Sequence, residues 1–336
     1  MLTASVTPYT LRFAFVARTS RETFTQKRTY FLKITDTDRP GRSGVGEVAV
    51  FPSLQPSFDS FDAFERRLAE VAADIDSYAT GARPLPEDSA IRFGVESALA
   101  DLYGTFPLPG DDFAGIPING LVWMNDIDTM RRQLDDKVAA GFRCVKLKIG
   151  AGDFDAEVDL LRSVRQRFPA SDLQIRVDAN GAFTPENVMS RLERLAPLGL
   201  HSIEQPLPRD SDLMAEVCRL SPVPVALDED MIERWWTDDE MRRWLGAIRP
   251  AFIVLKPSLA GGFAVADRWI RVARELGVGW WATSALESGI GLTAIARWLW
   301  QYPEALTFPQ GLGTGTIYTN SPAGGVTLRG DRLYTT

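Results

Sequence analysis

The residues of this chain that could do chemistry stand at the ends of short apolar runs. In CVKLKIG an extended backbone puts Cys144, Lys146 and Lys148 on one face and Val145, Leu147 and Ile149 on the other. LQIRVDAN ends in Asp178 and Asn180, HSIEQP reaches Glu204, and PVALDED ends in Asp228 and Glu229. FIVLKP brings Lys256, and WWATSALES brings Ser284. From Lys148 through Asp178, Glu204, Asp228 and Lys256 to Ser284 the intervals are 30, 26, 24, 28 and 28 residues. One strand–helix unit is about that long. Taken singly, each residue has a plain structural reading. Asp178 is a turn former, Asp228 a helix cap, Glu204 a loop cap, and Lys-x-Lys the wet face of an edge strand. A parallel strand between helices is buried on both faces, however. Three acids on three consecutive strands, with lysines before and after, make a joint chemical site the stronger reading.

Three carboxylates without histidine or cysteine make a hard oxygen site that suits Mg²⁺ or Mn²⁺, not zinc or copper. Such an ion acts as a Lewis acid on a carboxylate or carbonyl. The flanking lysines would transfer protons, with the dication and the neighbouring ammonium lowering the lysine pKa. The chemistry favoured is removal of a proton α to a carboxylate. The chain has one histidine, His201, so multi-histidine zinc sites are excluded. His201 falls at the start of its run, three residues before Glu204, and reads as structural. The two cysteines, Cys144 and Cys218, form no CxxC cluster, though one disulfide between them is open. A net charge of −7 argues against nucleic acid or an anionic membrane as partner. No apolar run approaches 18 residues and no signal-peptide pattern opens the chain, so a cytoplasmic protein is expected.

The elements that must hold these residues alternate. Strands are expected at 116–123, 144–149, 173–179, 200–206, 223–229, 251–257, 278–284 and 305–311. Helices are expected at 127–140, 154–168, 186–198, 211–220, 238–247, 263–276 and 290–301. Eight strands joined by seven helices suit an α/β fold, a (β/α)8-type barrel with its chemistry at the C-terminal strand ends. The open doubly wound sheet is the alternative, but no glycine-rich phosphate loop follows an early strand. The first hundred residues read as α+β, with strands near 9–17, 28–35 and 45–50 and helices near 60–78 and 87–103. Residues 1–108, joined by the tail 316–336, would thus cap a barrel of residues 109–315. The loop 36–44 reads equally as a lid over the barrel mouth or as a solvated hairpin.

The segments VKLKIG, RVDANGAF, IEQPL, ALDED, VLKPSLAGG and SALESGIG, in order between about 116 and 313, resemble the enolase superfamily, muconate-lactonizing subgroup. The resemblance implies that Asp178, Glu204 and Asp228 ligate Mg²⁺ and that Lys148 is the general base, supported by Lys146. It puts Lys256 on the opposite side of a small-molecule carboxylate substrate, Glu229 behind a ligand, and Asn180 as an orienting group. Within the superfamily, SALESGIGLTAIARW and INGLVWM look like the o-succinylbenzoate synthase branch, a dehydratase of menaquinone biosynthesis. The Asp-x-Asp pair expected of dipeptide epimerases is absent from 305–320. Racemases, epimerases and cycloisomerases of the superfamily are the alternatives, and a binding protein on the same barrel is the reading outside enzymes. Ser284 and the segment Ser288, Gly289 and Gly291 are expected to contact substrate. The backbone N–H groups of that segment open a helix and suit a carboxylate.

Overall fold

The computed structural model describes residues 1–18, 22–110, 113–322 and 324–335. The N-terminal strands β1 (Leu2–Arg18), β2 (Thr23–Asp36) and β3 (Ser43–Val48) form an antiparallel sheet in the order β1-β2-β3. Helices α1 (Phe61–Ala73), α2 (Ile75–Ala79) and α3 (Ser89–Tyr103) follow. The helix expected over 60–78 is broken at Asp74, the C-cap of α1 and N-cap of α2. Alternate residues of β2, Tyr30, Leu32 and Ile34, join Phe64 and Leu68 of α1 and Ile91, Val95 and Leu102 of α3 in one core. Gly46 lets α3 lie directly on β3, since a Cβ there would stand 2.1 Å from the Gly94 carbonyl oxygen.

The chain then enters a parallel sheet. After β4 (Ile116–Pro117) come β5 (Gly120–Val122), β6 (Cys144–Lys148), β7 (Gln174–Asp178), β8 (Ser202–Glu204), β9 (Val225–Leu227), β10 (Phe252–Leu255) and β11 (Gly279–Ala282). Strands β5 to β11 pair in chain order. The connecting helices are α4 (Ile127–Ala139), α5 (Phe154–Arg167), α6 (Val188–Leu195), α7 (Met214–Leu220), α8 (Asp238–Ile248), a short α9 (Pro257–Ala260) and α10 (Phe263–Leu276). Helix α11 (Gly289–Leu299) follows β11. Short apolar strands alternate with helices whose apolar faces pack outside them, giving one continuous core.

Two expectations change here. The run 116–123 is not one strand, because β4 pairs antiparallel with the C-terminal strand β13 (Arg332–Thr335), itself a hairpin with β12 (Val326–Arg329). The eighth strand at 305–311 does not form. Parallel bridges Ile118–Gln310 and Thr283–Gly311 close the barrel instead. Pro309 has no N–H to give a ladder. Gly311 is required, since a Cβ there would meet Thr283 Oγ1 at 2.1 Å.

Three glutamates join the cap to the barrel. Glu96 of α3 accepts from the backbone N–H groups of Phe263 and Ala264 at the start of α10. Glu233 accepts from Ser57 N at 2.8 Å and from Ser89 N, at the start of α3, at 3.0 Å. Glu47 of β3 accepts from Ser288 N at 2.9 Å and Gly291 N at 3.0 Å, at the start of α11. A carboxylate at a helix N-terminus satisfies unpaired donors and meets the positive end of the helix dipole. The tail crosses back to the cap, with Thr319 N donating to Arg12 O at 2.9 Å and Asn320 Nδ2 to Thr10 O at 2.8 Å.

The loop 36–44 turns between β2 and β3 beside the end of α3, where Arg42 Nε donates to Leu102 O at 2.9 Å. It does not line the pocket that holds Lys146, Lys148 and Lys256. The cap contributes Glu22, Phe24, Phe51, Ser53 and Leu54 there instead, so the lid reading of 36–44 is corrected. Both cysteines are free thiols. No helix among the described residues is long and apolar enough to cross a membrane.

Candidate active site

Register alone brings the polar strand ends together. Lys148 stands opposite Asp178, and Asp178 opposite Glu204, across β6, β7 and β8. Asp228 follows β9 directly, and Lys256 follows β10. Carboxylate oxygens of Asp178, Glu204 and Asp228 lie within 4.8 Å of one another, and all three residues are buried. Lys146 Nζ lies 2.6 Å from Glu204 Oε1 and 2.8 Å from Asp178 Oδ2. Lys148 Nζ donates to Asp178 Oδ2 and to Asn180 Oδ1, each at 2.6 Å. Lys256 pairs with Asp228 from the other side. Lys146, Lys148, Asn180, Glu229 and Lys256 all line one pocket beneath the cap.

Burial works against the charge on Lys146, but the carboxylates of Asp178, Glu204 and Asp228 outweigh it and raise its pKa. Acids rather than ammoniums dominate the surroundings of this lysine. Burial likewise opposes the charge on Asp178, yet the Lys146 and Lys148 ammoniums hold its carboxyl far below the usual range. At Glu204 burial wins, aided by Asp178, and the carboxyl is pushed up. Lys256 is raised: burial disfavours its charge, and Asp228 and Glu229 more than restore it.

The donor set fits a divalent cation. Every atom is a carboxylate oxygen on a rigid strand end, without nitrogen or sulfur. Glu204 Oε2 and Asp228 Oδ1 are buried and accept no hydrogen bond among the described residues. Buried acceptors are normally satisfied, and an ion between the three carboxylates would satisfy these two.

Behind the acids lies a supporting layer. Asn180 adopts φ +46° and donates from Nδ2 to Glu229 Oε1 at 3.0 Å. That bond turns its Oδ1 toward Lys148. Gln205 was not singled out from the sequence. Its Oε1 accepts from Asp228 N at 3.0 Å while its Nε2 donates to Asp230 Oδ2 at 2.8 Å, which fixes the end of β9. Its position beside Glu204 in IEQP was the available signal. Glu287 was also missed; it accepts from Ser284 Oγ at 2.6 Å and from Ser258 Oγ.

Ser284 lines the pocket. Ser288, Gly289 and Gly291 do not, and the helix-start donors expected to receive a substrate carboxylate are committed elsewhere. Ser288 and Gly291 give their N–H groups to Glu47, and Gly289 gives its own to Ser321 Oγ at 2.8 Å. The carboxylate at the start of α11 is the cap's own. His201 lies at the other end of β8, its ring 4.7 Å from Phe252. Nearby, the guanidinium of Arg176 is sandwiched at 4.3 Å from Trp281 and 4.6 Å from Phe308.

Residues 129–318 match the family model described as enolase C-terminal domain-like. The chain is 41% identical to an o-succinylbenzoate synthase of Desulfotalea psychrophila, over 96% of each chain. It is 34% identical to an N-succinylamino acid racemase of an Amycolatopsis species, over 50% of this chain and 42% of that one. Among solved structures, MenC from Desulfotalea psychrophila superposes with a TM-score of 0.78 at 38% identity, covering 99% of both chains.

Proposed function

The chain belongs to the enolase superfamily, and on that premise we propose that it catalyses the o-succinylbenzoate synthase reaction. The substrate is 2-succinyl-6-hydroxy-2,4-cyclohexadiene-1-carboxylate, and the step is loss of water in menaquinone biosynthesis. The observation that carries the reading is a pocket with Lys148 and Lys256 on strands that flank the three acids, in a chain similar to such a synthase along nearly its whole length.

Lys148, as the free amine, takes the proton at C1 of the ring. Its bonds to Asp178 and Asn180 leave one direction of the nitrogen for the substrate. The C1–H electrons move into the ring carboxylate as an enediolate, then return to form the C1–C6 double bond as the C6–O bond breaks. The same ammonium gives its proton to the departing hydroxyl, so water leaves from the face that lost the proton and Lys148 is restored. The ring becomes aromatic, which supplies most of the driving force. Lys256, held by Asp228, presents a cation to the ring from the other side. Lys146 offsets the charge of the buried acids. Asp178, Glu204 and Asp228 would hold Mg²⁺, or Mn²⁺, which supplies a Lewis acid for the charge gathering on the substrate carboxylate.

The division into a cap, residues 1–108, and a barrel, residues 109–315, belongs to the same reading, as does a cytoplasmic location. Of the tail 316–336, Thr319 and Asn320 bond the cap, while β12 and β13 join β4 of the barrel range. A second reading has support: the likeness to the N-succinylamino acid racemase, together with lysines on both sides of the pocket, suits proton exchange at an acylamino acid. Loss of cyclohexadiene absorbance with Mg²⁺ present tests the synthase. No absorbance change, alongside α-proton exchange on N-succinylamino acids, would overturn it in favour of the racemase.

A further inference from the structure

The turn between β11 and α11 forms one wall of the pocket through Ser284, Ala285 and Leu286. Leu286 holds φ +63°. A leucine rarely adopts that region, because its Cβ crowds the backbone. The conformation persists only where neighbouring bonds impose it. From within the turn, Ser284 Oγ donates to Glu287 Oε2, Ala285 N donates to the same oxygen at 2.8 Å, and Leu286 N donates to Ser284 Oγ at 2.9 Å. From outside, the Leu286 carbonyl accepts two further bonds, from Lys27 Nζ at 3.1 Å and from the Tyr318 hydroxyl at 2.7 Å.

Neither outside donor lines the pocket. Lys27 comes from β2 of the cap, and Tyr318 from the tail that returns to it. Lys27 is 8% exposed and faces Glu47 and Glu287. A buried ammonium is costly unless it is paired and hydrogen-bonded. Burial pulls the pKa of Lys27 down, the Glu47 and Glu287 charges offset part of that, and the ammonium donates to the Leu286 carbonyl. Glu47 is also the group that caps α11 at Ser288, so one cluster seats the cap and clamps the turn.

We infer that Lys27, with Tyr318, is a positioning residue: it locks the Leu286 backbone so that Ala285 and Leu286 form a fixed apolar wall against the substrate. Cap seating is thereby tied to substrate fit. The inference deepens the synthase reading and rests on it for the choice of assay substrate. Without the Lys27 bond Leu286 relaxes to negative φ and the wall shifts. Proton removal by Lys148 is untouched.

Steady-state kinetics and crystal structures of Lys27→Met and Tyr318→Phe test this. KM for the cyclohexadiene carboxylate is expected to rise about tenfold in Lys27→Met and about threefold in Tyr318→Phe, with kcat held within about twofold. Leu286 is expected at negative φ in the Lys27→Met crystal. Wild-type KM in both variants, a loss confined to kcat, or an unmoved Leu286 overturns the inference. Tyr318→Phe removes one hydroxyl and no charge, so it decides the matter if Lys27→Met does not fold. A wild type that leaves the cyclohexadiene unchanged sinks the synthase reading alone. The conformation of Leu286 in the variant crystals then still decides this one.

Discussion

Lys146 and Lys148, two residues apart on one strand, donate to the same oxygen, Asp178 Oδ2, at 2.8 and 2.6 Å. They differ in their second partner. Lys146 also reaches Glu204, deep among the acids, whereas Lys148 reaches Asn180 at the pocket. The shared oxygen sets their common height, and the second bond divides their work.

Lys148→Ala is therefore expected to lower kcat by about a thousandfold or more, the scale of a lost general base, with folding unchanged. Lys146→Met is expected to cost stability as well, roughly 3 kcal/mol, because it leaves buried carboxylates without their counter-charge. Urea unfolding beside single-turnover kinetics separates the two. Equal stability losses in both variants would refute the division.

Removing the metal should abolish turnover, and Mg²⁺ should restore it. Asp228→Asn deletes an anionic ligand. Its Mg²⁺ affinity is expected to fall by more than the ~10–100-fold typical of an outer partner. Calorimetric titration of the folded variant measures this directly, and an unchanged affinity would exclude Asp228 from the site.

The single histidine offers an unambiguous probe. Burial, then Arg176, lowers the pKa of His201 to about 4. The unfolded chain binds this proton near 6.5, so the folded state loses stability as pH falls from about 6.5 toward 4. Its one imidazole NMR signal should remain that of the neutral ring at pH 5.5. A midpoint near 6.5 would mean the ring is solvated.

Glu96 behaves in the opposite sense. Burial raises its carboxyl from 4.5 to about 7, against the pull of the Ala264 and Phe263 N–H groups. The folded state then holds the proton more tightly than the unfolded one. Its contribution is fully present below about 4.5 and is lost as pH rises through about 7. Glu96→Gln should flatten the decline in stability between pH 5 and 8. A decline as steep as in the wild type would assign it to other groups.

Much of the site was readable because strand chemistry is periodic. Side chains two apart share a face, and strand–helix units of similar length bring their C-terminal ends to one rim. That period alone brings Lys146, Lys148, Asp178, Glu204, Asp228 and Lys256 to one rim. The helix start at Ser288 misled for a local reason. Unpaired N–H groups do attract a carboxylate, but nothing in the local sequence says whose. The acceptor that took them, Glu47, lies 241 positions away.

The sequence by itself determined which residues stand at the barrel rim and that these are carboxylates and lysines rather than imidazoles. Both follow from residue type and local period. Only the tertiary structure decided which oxygen each lysine shares, that the eighth strand is reduced to two bridges, and that the cap rather than a substrate fills the start of α11. Those outcomes depend on contacts between positions far apart in the chain, where no local pattern carries the information.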